Sequence, residues 1–221
     1  MKFVSDLLTY LVITTTLLGG AYGVFIYRSL PKHAAIVSAL MLYGGVNELS
    51  GLVMYHYLNN NVIIYNIYIL AELCLLILAS VQQMNKKVFT TVGIVCIILY
   101  SALWCYLFFI MPHSYFMVWM FLSSCILLSV FYFCPLLIIS RNSDRPFSEP
   151  WLWVCLGHVI YFACDIPFFS MYKYFVAHAK TIGALLQNIN DTLAVLRYLF
   201  VSYGFYLFAK QHKTTHGQHK H

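Results

Sequence analysis

Glu48, Glu72, Asp165 and Asp191 are four of only seven acidic residues in the chain, and each falls inside an apolar stretch long enough to cross a bilayer. An Asp or Arg at mid-helix opposes membrane insertion by about 2.5 to 3.5 kcal/mol, while each Leu, Ile, Val or Phe returns only about 0.3 to 0.6. Carboxyl groups held there can ligate a cation, relay protons, act as an acid/base pair, or serve as protonated hydrogen-bond anchors between helices. Counted from the outer end of each stretch, the four lie about nine, ten, eight and eleven residues in. At 1.5 Å per residue that is one layer about 12 to 17 Å below the boundary. Four carboxylates in a small apolar space cannot all be ionised unaided. Some must carry protons, or a cation must sit among them.

The neighbours fit a shared interior. Along Gly183 to Tyr198, GALLQNINDTLAVLRY, the residues Gly183, Gln187, Asn190, Asp191, Ala194, Arg197 and Tyr198 occupy a stripe about 120° wide. Gly44, Glu48, Gly51 and Tyr55 make a second stripe, Tyr65, Tyr68 and Glu72 a third, and His158, Tyr161 and Asp165 a fourth. Glycine beside an acid lets a ligand or another backbone approach, and tyrosine can donate to the acid. Arg197 and His158 are the intramembrane groups able to balance the acids. The candidate site for a cation or small solute is therefore Glu48, Glu72, Asp165, Asp191, His158, Asn190, Gln187, Arg197, Tyr68 and Tyr161. No catalytic residue is assigned, and the identity of any metal is left open.

These residues must be positioned by helices. Hydrophobic residues make up 62% of the chain and charged residues 9%, against about 25% charged in a soluble domain. The expected fold is a single all-α membrane domain over residues 1–209 with seven transmembrane helices. The spans fall near 4–27, 34–57, 62–83, 88–110, 115–140, 151–173 and 180–209. The connections are RSLPKH, LNNN, QMNKK, MPHS, RNSDRPFSEP and YFVAH. The first stretch carries Asp6 and no A-x-A site, so it reads as a span rather than a signal peptide. Residues 210–221 are expected to be a short, basic, His-containing, disordered cytoplasmic tail. A net charge of +6 reflects topology, not nucleic-acid binding. Arg28, Lys32, Lys86, Lys87, Arg141, Arg145, Lys210, Lys213 and Lys220 fall on one side, and Lys2, Lys173 and Lys180 on the other. That asymmetry places the N-terminus outside and the C-terminus in the cytoplasm, in a bacterial inner membrane.

Smaller features complete the pattern. Trp151 and Trp153 are expected at the inner interface and Trp104 and Trp119 near the outer one. Gly19 and Gly23 form a GxxxG spacing that suits intramolecular packing. Pro135 and Pro167 should kink their helices or free a carbonyl. The seven Cys residues form no CxxC pair, so they read as apolar fillers. Asn190-Asp191-Thr192 fits the glycosylation pattern, but at membrane depth it cannot be used. The acid pairs recur with separations of 24 and 26 residues (Glu48 to Glu72, Asp165 to Asp191), and QNIN at 187–190 echoes YNIY at 65–68. This suggests two parallel three-helix repeats joined by the fourth helix.

The layout is similar to semi-symmetric 3+1+3 transporters of sugars or vitamin precursors, and to rhodopsin-like seven-helix proteins. The tryptophan-rich motif of the vitamin-precursor transporters is absent. No Lys lies at mid-depth in the seventh helix for a retinal Schiff base, and no haem or nucleotide motif occurs. Membrane hydrolases with three zinc-binding histidines are also similar in layout, but here only His56 and His158 lie within spans. Asn47-Glu48-Leu49, Asn59-Asn60-Asn61, Tyr65-Asn66 and Glu72 together resemble a group of small bacterial seven-helix integral membrane proteins. That resemblance covers about a third of the chain and implies no activity. The expected function is transport of a small solute, with coupling to protons. The alternatives are a ligand-sensing receptor or signalling subunit, which would need a membrane-protein partner because the tail is short, and an intramembrane metal-dependent hydrolase. The expected partners are the bilayer and a small solute or cation.

Overall fold

The computed structural model describes residues 2–112, 115–178 and 180–218. It contains α1 (Lys2–Phe25), α2 (Lys32–Leu58), α3 (Val62–Met84), α4 (Lys87–Ile110), α5 (Val118–Asn142), α6 (Pro150–His178) and α7 (Lys180–Gln218), with 3-10 turns at Tyr27–Ser29 and Pro146–Ser148. Among the described residues there is no strand. All seven helices are long and apolar enough to cross a membrane. The chain is an all-α integral membrane protein that contacts lipid.

The helix ends follow local chemistry. Asn59 and Asn85 take left-handed backbone conformations, φ 50° and 46°, and end α2 and α3. Asparagine tolerates that conformation better than most residues. Their backbone N–H groups donate to Tyr55 and Val81 O at 3.0 Å. Asn60 Oδ1 then accepts from Val62 N at 3.0 Å, which turns the chain into α3. Two expected breaks are absent. YFVAH, expected as a connection, lies in α6, which runs on to His178. The expected disordered tail instead continues α7 as far as Gln218, while residues 219–221 lie outside the described chain. Neither segment holds a proline, so nothing in the backbone stops the helix.

Six helices close a ring: α1 packs on α2, α2 on α3, α3 on α5, α5 on α6, α6 on α7, and α7 on α1. Helix α4 leans on α3 from outside, and its span is the least buried of the seven. Replacing 1, 2, 3 by 5, 6, 7 maps the ring onto itself, the neighbour order that a 3+1+3 repeat requires.

Close packing rests on small residues. A Cβ on Gly19 would fall 2.3 Å from Ser202 Oγ of α7, and one on Gly23 2.3 Å from Ser38 Oγ of α2. The GxxxG face is thus used within the molecule. Pro135 has no N–H for the carbonyl of Phe131, one turn back. Ser80 Oγ of α3 donates to that carbonyl at 2.6 Å, tying α3 to α5. Two tryptophans expected at the interfaces face the interior instead. Trp104 is 7% exposed and donates Nε1–H to Asn66 O at 2.9 Å, while Trp151 is 3% exposed and meets the His33 ring edge-on at 4.6 Å. Trp119 is exposed as an interfacial ring should be.

Candidate functional site

The polar stripes of α2, α3 and α7 converge on a cavity of about 450 Å³ inside the helix ring. Glu48, Glu72 and Asp191 all line it, with Arg197, Gln187, Asn190, Tyr65, Tyr68, Tyr161 and Tyr198. Thr9 and Val12 of α1 and Phe121 of α5 complete the wall. Asn61 and Phe116, from the α2–α3 and α4–α5 connections, lie toward one end of the bundle. Toward the other end the interior is filled. Tyr132, His158, Phe162 and Phe205 are fully buried there, with Trp151 beside them.

Each acid on the wall has a different partner. Arg197 Nη2 donates to Glu72 Oε1 at 2.7 Å, and both side chains are about 95% buried (3% and 5% exposed). Tyr68 Oη donates to the same Glu72 oxygen at 3.3 Å. The guanidinium also lies 4.7 Å from the ring centres of Tyr161 and Phe162, and 5.3 Å from that of Tyr198. This ion pair joins α3 to α7 across the cavity, and the aromatic faces add cation–π attraction where water is scarce.

Glu48 Oε2 accepts from Tyr65 Oη at 2.8 Å, and Asp191 Oδ1 accepts from Gln187 Nε2 at 2.9 Å. The tyrosines of α3 reach over glycines of α2. A Cβ on Gly51 would stand 2.9 Å from Tyr65 Oη, and one on Gly44 2.9 Å from Tyr68 Oη. Both donors that meet the remaining two acids are neutral. Among the described residues, three carboxyl groups and one guanidinium face the cavity, and no second Lys, Arg or His lines it. Glu48 and Asp191 therefore have no cationic partner among the described residues.

Two candidates are not brought to this wall. Asp165 is completely buried, and Tyr161, one turn away on α6, is its polar neighbour. It borders a separate, largely apolar cavity with Cys164, Phe168, Met171 and Leu193. The expected depth was in error because α6 is longer than expected. Asp165 lies thirteen residues from its His178 end, whereas Glu48, Glu72 and Asp191 lie ten, ten and eleven from theirs. Tyr161 and Phe169 present α6 to the main cavity instead. His158 is 1% exposed, donates Nδ1–H to Val154 O at 2.7 Å and stacks on Tyr132 at 4.5 Å. It is packed into the interior and does not line the cavity.

Sequence reasoning put Tyr65 and Tyr198 on the polar stripes but left them out of the candidate site, and it did not single out the phenylalanine wall of Phe116, Phe121 and Phe169. Tyr65 lies two turns before Glu72 on the same stripe, so its place on the wall follows from that spacing. Phe116 and Phe121 lie around the start of α5 and Phe169 in α6, so the cluster forms only when those two helices pack. Among the described residues no three of His, Cys, Asp and Glu cluster closely enough to hold a metal ion. Compared with family models, curated proteins and solved structures, the chain matches none.

Proposed function

We propose that the protein binds a small cationic solute in the central cavity and carries it across the membrane, with proton coupling. One observation supports this above the others: among the described residues, three carboxyl groups face a cavity that a single guanidinium serves. Glu48 and Asp191 must take up protons or face an external cation, because ionised carboxylates without a counter-charge are unfavourable at that depth. A group that holds either a proton or a cargo cation can exchange one for the other. The ring order supports a 3+1+3 plan, in which a site lies between two repeats. The basic residues favour an N-out orientation, and composition and size suit a bacterial inner membrane.

Uptake into proteoliposomes tests the reading. With rubidium, methylammonium and guanidinium as probes, Asp191→Asn and Glu48→Gln should each abolish uptake seen with the wild type. Unchanged uptake after neutralising Glu48, Glu72, Asp165 and Asp191 together would sink the idea.

A second reading has its own support. The cavity lies toward one end of the bundle, and aromatic packing around Tyr132 and Trp151 closes the other. A receptor needs a pocket on one side only, whereas a transporter must open that packing. A stoichiometric membrane-protein partner co-purifying with the chain would favour the receptor. A solitary chain that moves solute would end it.

A further inference from the structure

Resting on the reading of this cavity as a cation site, we infer that its ligand is a protonated amine with an apolar body rather than an inorganic cation. The protein itself holds one organic cation in this wall. Arg197 satisfies its charge with Glu72 and lays its flat face near the rings of Tyr161, Phe162 and Tyr198. A carboxylate plus aromatic faces is how proteins recognise organic cations with weakly hydrated bodies.

Carboxyl groups recur elsewhere on the same cavity wall, with no cation beside them among the described residues. Glu48 and Asp191 each spend one oxygen on a neutral donor, Tyr65 and Gln187. Glu48 Oε1 and Asp191 Oδ2 accept no hydrogen bond among the described residues. Two free carboxylate oxygens call for N–H donors, which a primary ammonium has and a quaternary one lacks. The same cavity also has an apolar wall. Phe121 and Phe169 meet edge-to-face at 4.5 Å, and Phe116 closes the cluster at 6.1 and 6.3 Å from them.

Size argues the same way. The cavity of about 450 Å³ has room for several water volumes, each about 30 Å³ in the liquid. A dehydrated calcium or magnesium ion would need about six to eight oxygens closing around it at about 2.0 to 2.6 Å. This wall instead alternates carboxylates with rings. Nothing in it gives such an ion a closed cage, while an aryl or alkyl chain of six to eight carbons finds a surface to cover.

Calorimetric titration of the full chain in nanodiscs decides the matter, with phenethylammonium and hexylammonium as probes. Saturable binding is expected, at least about tenfold tighter than that of 2-phenylethanol, which has the same body without the charge. Glu48→Gln or Asp191→Asn should each weaken the amines by about tenfold or more and leave the alcohol unchanged. Tetraethylammonium binding as tightly as the amines would overturn the role of N–H donors. Potassium or magnesium binding without amine binding would overturn the inference while leaving the cation cavity intact. Absence of saturable binding by any of these cations would remove both. The comparison of amine with alcohol uses the wild-type chain, so it stands even where a variant fails to fold.

Discussion

Removing Arg197 would strand Glu72 as a buried carboxylate with no cation and one weak tyrosine donor at 3.3 Å. Breaking one half of a buried pair is much worse than removing both halves, because the survivor keeps its desolvation cost. Arg197→Gln should therefore destabilise the protein by about 3 to 5 kcal/mol, read as a shift in chemical unfolding in detergent. The double variant Glu72→Gln/Arg197→Gln should recover much of that loss. A neutral single variant would mean that the pair contributes nothing to the folded state. At this scale the sequence announced the participants clearly. Ionisable residues in apolar stretches are rare enough to stand out one by one. What it could not announce was the pairing, since Glu72 and Arg197 are 125 positions apart.

Between α3 and α5 the joint is a polar bond that substitutes for one a helix lacks. Pro135 leaves the Phe131 carbonyl open, and Ser80 Oγ occupies it at 2.6 Å. Hydrogen bonds between membrane helices average about 0.6 kcal/mol and reach about 1.7. Ser80→Ala should lose an amount in that range. In a Pro135→Ala background the restored N–H at position 135 takes the carbonyl, so the same Ser80 change should then cost almost nothing. Additive losses in that double-mutant cycle would show that the two sites are uncoupled. The proline was visible in the sequence as a freed carbonyl, but its partner was not. Ser80 looks locally like any small residue in a span, and only the approach of α3 to α5 gives it a task. The same limit explains the error at Asp165. A boundary set five residues early on α6 shifted its expected depth by more than one turn.

For the molecule as a whole, the basic residues cluster at the end of the bundle that carries the Tyr27–Ser29 and Pro146–Ser148 turns and the C-terminus. If the cell reads that asymmetry in the usual way, the cavity end faces outward. A protease added to intact spheroplasts should then remove an N-terminal tag and spare a C-terminal one. The opposite pattern would reverse the proposed direction of access without altering the site.

The chain's own residues determined that this is a seven-helix membrane protein with a costly acidic layer, because hydropathy and charge act over single helices and need no partner to be read. They also placed Glu48, Glu72 and Asp191 at comparable depth, since rise along a helix is fixed. Only the folded ring decided which acid meets Arg197, that His158 stacks on Tyr132 instead of lining the cavity, and that phenylalanines from around the start of α5 and from α6 make one wall. Those outcomes depend on how helices rotate and lean against one another. Small-residue contacts such as Gly19 on Ser202 and Gly51 under Tyr65 set that rotation; local spacing marks the close face but not the residue that meets it.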